Sequence, residues 1–96
     1  MAPEIELLTD SEIEARLRGT QWRREGDTIV REFVRPDFAA AIDFVIVVAE
    51  LAEQANHHPD ILIHGYKQVR LTLTTHSAGG VTERDFELAR AVDTLA

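Results

Sequence analysis

Between Tyr66 and Thr75 apolar and polar residues alternate, with Val69, Leu71 and Leu73 on one face and Arg70, Thr72, Thr74 and His76 on the other. That period of two is the pattern of a half-buried strand, and it places His76 on its polar side. Ile61 to His64 is a second strand-like run, turning into the first around Gly65. Trp22 to Arg24 and Thr28 to Arg35 form another such pair, with hairpin chemistry at Gly26-Asp27 between them. Helical signals separate these pairs. Thr9-x-x-Glu12 is a capping box with Leu8 and Ile13 as its hydrophobic staple, so a first helix opens at Thr9 and stops near Gly19. Asp37 caps a long helix that must end before Pro59, because proline disfavours helical backbone in the residue preceding it, His58. A closing helix starts at Thr82, with Asp85 in the capping-box position and Val81 facing Phe86 as a staple. Phe86, Ala89 and Val92, with Leu95 or Leu88, supply its buried stripe.

The order helix, strand, strand, helix, strand, strand, helix predicts an α+β fold: a four-stranded antiparallel sheet with three helices packed on one side. No repeat or linker divides residues 1–96, which read as one domain. The long helix is the odd element. From Phe38 to Ala55 it carries Ile42, Phe44, Val45, Ile46, Val47, Val48 and Leu51, interrupted mainly by Asp43, Glu50, Glu53 and Gln54. A helix apolar on nearly every side is normally buried on every side. The sheet covers one side, so the 38–55 helix is expected to meet another copy of the chain, as a dimer or tetramer.

Composition narrows the function classes. A net charge of −7 opposes direct binding to nucleic acid, where affinity comes mainly from Lys and Arg displacing counterions. Without cysteine there is neither a disulfide framework nor a thiolate zinc site. No secretory signal or membrane-spanning stretch is apparent, which makes the cytoplasm the expected compartment and excludes a membrane partner.

Candidate chemistry concentrates in one pattern: Glu53-x3-His57-His58-Pro59, Tyr66, Thr75-His76, Gly79-Gly80 and Thr82-x-x-Asp85. Each residue has a plain structural reading. His57 alone could be a cap compensating the helix dipole, His58 a solvated residue before proline, and His76 a surface residue at a strand end. Tyr66 is read as packing at the strand start and Asp85 as a helix cap. Trp22 is read as core, His64 as a surface strand residue and Arg84 as a solvated first-turn residue. A metal site built from Glu53, His57, His58 and His76 would use ligands suited to zinc. Adjacent histidines leaving a helix point in different directions, however, and the spacing is no standard metal motif, so no metal is expected.

Taken together, Glu53-x3-His57-His58-Pro59-x6-Tyr66-x9-His76-x8-Asp85 resembles the signature of the pterin-4a-carbinolamine dehydratases. The runs Thr74-Thr75-His76-Ser77-x-Gly79-Gly80 and Thr82-x-x-Asp85-Phe86-x-Leu88-Ala89, and Trp22 after the first helix, are also similar to that family. The resemblance extends from Thr9 to Asp93. It implies removal of water from 4a-hydroxytetrahydropterin to give the quinonoid dihydropterin, a step of tetrahydrobiopterin regeneration, with no cofactor because the pterin is itself the substrate. It also implies a functional link to a pterin-dependent aromatic amino acid hydroxylase. His57, His58 and His76 are then the acid and base groups, with Glu53 orienting or tuning them. Asn56, Thr74, Thr75 and Ser77 join the histidines in holding the ring, and Arg84 matches a family position near the site. Imidazoles suit such an elimination because they donate and accept protons near neutral pH. Glu53 lies four residues before His57 and is expected to face it along the helix. Because relatives also serve as transcriptional dimerisation cofactors and assembly factors, the alternative is a non-catalytic interaction module, which has no need of the histidine set.

Overall fold

A computed structural model describes residues 5–95; the outermost residues of the expected 1–96 domain lie outside them. The elements follow the order read from the sequence: α1 (Asp10–Leu17), β1 (Arg23–Glu25), β2 (Thr28–Val34), α2 (Phe38–Ala55), β3 (Asp60–His64), β4 (Gln68–Leu73), a 3-10 turn (His76–Ala78) and α3 (Glu83–Asp93). The start signals act as their chemistry dictates. Thr9 and Glu12 close a reciprocal capping box on α1, and Thr82 and Asp85 close another on α3. Asp37 Oδ1 accepts the Ala40 N–H at 2.8 Å to open α2. Gly26, with φ of 59°, and Asp27 make the two-residue connection between the paired Glu25 and Thr28.

The sheet order is β1-β2-β4-β3, all antiparallel. β3 follows α2 in the chain but takes the edge, leaving β4 between β2 and β3. Ile29 and Phe33 of β2 oppose Leu73 and Val69 of β4, so the apolar sides of both strands form one surface. Onto it pack Ile13 of α1, Ala41, Phe44, Val48 and Ala52 of α2, and Phe86, Leu88, Ala89 and Val92 of α3. Trp22 is core as expected, edge-on to Phe33 at 6.3 Å between ring centroids, and its indole N–H donates to Asp93 Oδ1 at 2.8 Å. Arg16 of α1 donates to Glu83 of α3 at 2.8 Å.

Two local expectations are corrected. Tyr66 does not pack at the start of a strand: Gly65 and Tyr66 both have φ of 54°, and the resulting turn leaves the residue 62% exposed. β4 therefore begins at Gln68 and ends at Leu73, so His76 lies beyond the strand, in the 3-10 turn. That turn forms because Thr75 pairs with Gly80, its N–H donating to the Gly80 carbonyl at 2.9 Å, while its own carbonyl accepts from Ala78 and Gly79 at 3.0 Å. Gly79 completes the loop with φ of 81°, a conformation glycine adopts without a Cβ penalty.

The structure also resolves the two sides of α2. Ala41, Phe44, Val48 and Ala52 recur at helical spacing and face the core. Phe38 and Ile46 remain 54% and 52% exposed, sharing the outer surface with Asp43, Glu50 and Glu53. The outer side is thus mixed, with an apolar strip rather than an uninterrupted apolar face.

Candidate active site

Three segments converge at one end of the molecule: the turn leaving α2, the loop after β4, and the first turn of α3. Between them lies a cavity of about 220 Å³ lined by Asn56, His57, His58, Thr74, Thr75, His76, Ser77 and Arg84. All three signature histidines and every residue expected to hold substrate line it. Glu53 does not, but reaches it indirectly through His58.

The α2 exit sets the directions of the two adjacent histidines. Asn56 adopts a left-handed conformation with φ of 49° and ψ of 43°. Asparagine tolerates this better than most residues, and the turn ends the helix. The His57 N–H then returns to the Ala52 carbonyl at 3.0 Å. With the helix closed at Ala55, the expected facing of Glu53 and His57 along a helix surface fails. Glu53 instead bonds His58 Nε2, at the surface. His57 turns inward and is buried, its Nε2 lying 2.5 Å from Oδ1 of Asp85.

Asp85 accordingly does more than cap α3. Its side chain is fully buried, and its second oxygen, Oδ2, accepts the Thr82 N–H at 2.8 Å and the Thr75 hydroxyl at 2.9 Å. Thr75 Oγ1 and Thr82 Oγ1 are 2.7 Å apart. One carboxylate thus ties the histidine leaving α2 to the residue preceding His76. With Asp85 as acceptor, His57 Nε2 is the donor, and Nδ1 has no hydrogen-bond partner among the described residues. Sequence reasoning assigned Asp85 to capping alone. The one available signal was its place in the signature, since capping-box spacing accounts for an aspartate there without a histidine partner.

The remaining lining residues are also held. Thr74 Oγ1 donates to the Asp27 carbonyl in the β1–β2 turn at 2.6 Å. Arg84, read from sequence as equally well a solvated residue, reaches back to α2, its Nη2 donating to the Asn56 carbonyl at 2.7 Å. His64 lies away from this cluster. It contacts Glu32 at 3.0 Å, and Glu32 also accepts from Arg70 at 2.5 Å, across the sheet surface opposite the helices.

The arrangement presents imidazoles on both sides of a small polar cavity, two of them bonded through Nε2 to a carboxylate. Such a site can donate a proton to one substrate atom and take one from another.

Known proteins similar to this chain identify its family. The profile of the family described as "Pterin 4 alpha carbinolamine dehydratase" matches residues 6–95. A candidate pterin-4-alpha-carbinolamine dehydratase of Roseiflexus sp. (strain RS-1) is 52% identical over 89 residues, spanning 92% of this chain and 95% of that protein. A second, from Thermomicrobium roseum, is 57% identical over 75 residues, spanning 78% and 80%. Among solved structures, a transcriptional coactivator/pterin dehydratase from Brucella melitensis superposes with a TM-score of 0.86 at 38% identity, covering 93% of this chain and 97% of that one. A pterin dehydratase-like protein identified as a RuBisCO assembly factor in the alpha-carboxysome gives 0.67 at 28% identity, covering 81% and 92%. A profile match along nearly the whole chain, and relatives at this identity and coverage, establish that this protein belongs to the pterin-4a-carbinolamine dehydratase family.

Proposed function

We propose that this protein is a 4a-hydroxytetrahydrobiopterin dehydratase acting by histidine acid/base catalysis. The observation that carries the reading is the convergence of His57, His58 and His76 on one cavity whose other walls are polar. In the reaction a proton passes to the hydroxyl on carbon 4a, the carbon–oxygen bond breaks, and water leaves. A base removes the proton from nitrogen 5, and its electron pair forms the carbon 4a–nitrogen 5 double bond of the quinonoid dihydropterin. The pterin supplies every electron that moves, so the protein's part is to hold the ring and shuttle two protons. His57, His58 and His76 share those transfers. Glu53 orients His58, Asp85 orients His57, and Asn56, Thr74, Thr75 and Ser77 border the ring.

A cytoplasmic enzyme working after a pterin-dependent aromatic amino acid hydroxylase, as a homo-oligomer joined through α2, completes this reading. No helix among the described residues is long and apolar enough to cross a membrane. The second reading, a non-catalytic assembly or coactivator module, draws on the functions attached to the two structural relatives. The histidine set favours catalysis. Stopped-flow measurement of carbinolamine breakdown with and without the protein decides between them: acceleration is expected for the enzyme, and the spontaneous rate for an interaction module.

A further inference from the structure

We propose that Arg84 is a positioning residue of this site, holding the peptide group between Asn56 and His57 so that the two histidines diverge correctly into the cavity. The proposal rests on the dehydratase reading for its kinetic consequence but not for its structural one.

The end of α2 has to dispose of its last carbonyls. The Asn56 N–H serves Ala52 and Glu53, and the His57 N–H serves Ala52. Arg84 Nη2 donates to the Asn56 carbonyl at 2.7 Å and lies 3.5 Å from that of Ala55. The Asn56 carbonyl and the His57 N–H belong to one peptide unit. Arg84 therefore grips its oxygen while Ala52 grips its hydrogen, and the plane that sets where His57 and His58 depart is fixed from both sides. The adjacent residue, Asp85, holds the His57 ring itself. Two consecutive residues of α3 thus hold two consecutive residues of the α2 exit.

The choice of partner is informative. Arg84 stands between Glu83 and Asp85 in a chain with 17 acidic residues, yet among the described residues it makes no ion pair and spends its bonds on carbonyls. A cation there also complements the negative end of the α2 dipole. Nor is Arg84 wedged into the core. It lines the candidate cavity on one side and a second space of about 280 Å³, bordered by Leu51, Gln54, Ala55 and Glu87, on the other. Truncating it empties no packed volume, so the fold should survive while the α2 exit loosens. His57 stays tethered to Asp85, and the displacement falls mainly on His58, whose one side-chain partner among the described residues is the exposed Glu53.

The test compares wild type, Arg84→Ala and Arg84→Lys by dehydratase kinetics, thermal melting and long-range proton–nitrogen NMR of the imidazoles. Arg84→Ala is expected to melt as a folded protein and to lose about 10-fold in kcat with little change in KM, the cost of a misplaced catalytic group. Lysine, which keeps the charge but not the planar fork, should recover only part of that loss. The His58 nitrogen signals should shift or broaden in Arg84→Ala while those of His64 stay put. Unchanged kcat, or a rise in KM alone as for a direct substrate contact, overturns the proposal. If the wild type itself shows no turnover, the dehydratase reading fails and NMR alone decides: unmoved His57 and His58 signals overturn the clamp, and displaced ones sustain it.

Discussion

His57 Nε2 and Asp85 Oδ1 lie 2.5 Å apart, the aspartate fully buried and the histidine nearly so, while the other oxygen of the same carboxylate holds Thr75, the neighbour of His76. This bridge relates the two halves of the cavity. A buried carboxylate with three donors around it is satisfied, whereas removing its charge leaves those donors facing a poorer acceptor. Asp85→Asn is therefore expected to lower stability by about 1–3 kcal/mol and dehydratase turnover about 10-fold or more, since the histidine it orients loses its fixed tautomer. Urea denaturation and stopped-flow kinetics on the same preparation check both, and wild-type turnover would show that the bridge is structural only.

Replacing the histidines separates the site from the rest of the surface. His57→Ala and His76→Ala should each reduce turnover about 100-fold or more, as for loss of a general acid or base. His57→Ala should also destabilise the protein, because it strips a partner from the buried Asp85; His76, exposed in its turn, should not. His64→Ala, on the opposite side of the sheet, should leave turnover unchanged and serves as the control. Full activity in both site variants would remove the assignment.

Along α2 the structure distinguishes positions that composition alone left equivalent. Val48 is fully buried against the sheet, and Ile46, two residues away and so a little over half a turn around the helix, is 52% exposed. Val48→Asp buries an unpaired charge and should leave the chain unfolded. Ile46→Asp should leave it folded but smaller in multi-angle light scattering, if the strip from Phe38 to Ile46 is where copies meet. A wild-type monomer at micromolar concentration would show that this strip has no partner of its own kind.

Glu32 carries a pH-dependent contribution. Burial raises its pKa, but hydrogen bonds from Arg70 and His64 outweigh that, and the carboxyl ends below its ordinary 4.5. A carboxyl depressed in the folded state stabilises the protein at pH above its unfolded value, and that stabilisation disappears as pH falls through the lower folded value. Glu32→Gln should therefore cost about 0.2–1 kcal/mol at pH 7, with the difference from wild type closing as the pH is taken below 4.5. Chemical denaturation at neutral and acid pH measures it, and a gap that persists in acid would assign the cost to packing.

Local chemistry made the elements legible. Capping boxes at Thr9 and Thr82, the Asp37 cap, the Gly26-Asp27 turn and the alternation of Val69, Leu71 and Leu73 all concern residues within a few positions of each other, and each element formed where they put it. Local rules failed where neighbours in space intervened. The strand pattern runs from Tyr66 to Thr75 and puts His76 at its end, but the pairing of Thr75 with Gly80 curls the chain into a 3-10 turn. Tyr66 looked like a strand residue until the tight turn at Gly65 took it.

The sequence by itself determined which residue types the cavity has, because those residues stand in a recognisable signature. It also determined the α+β order, since periodicity and caps are properties of short segments. Only the tertiary structure decided who partners whom. Glu53 is four residues from His57 yet bonds His58, and His57 finds Asp85, 28 residues away, because a left-handed Asn56 turns the chain between them. Spacing along a chain fixes neighbours only while the backbone stays regular. Where a helix ends, the direction of each side chain depends on one or two dihedral angles, and those are set by contacts with a distant element, here the first turn of α3.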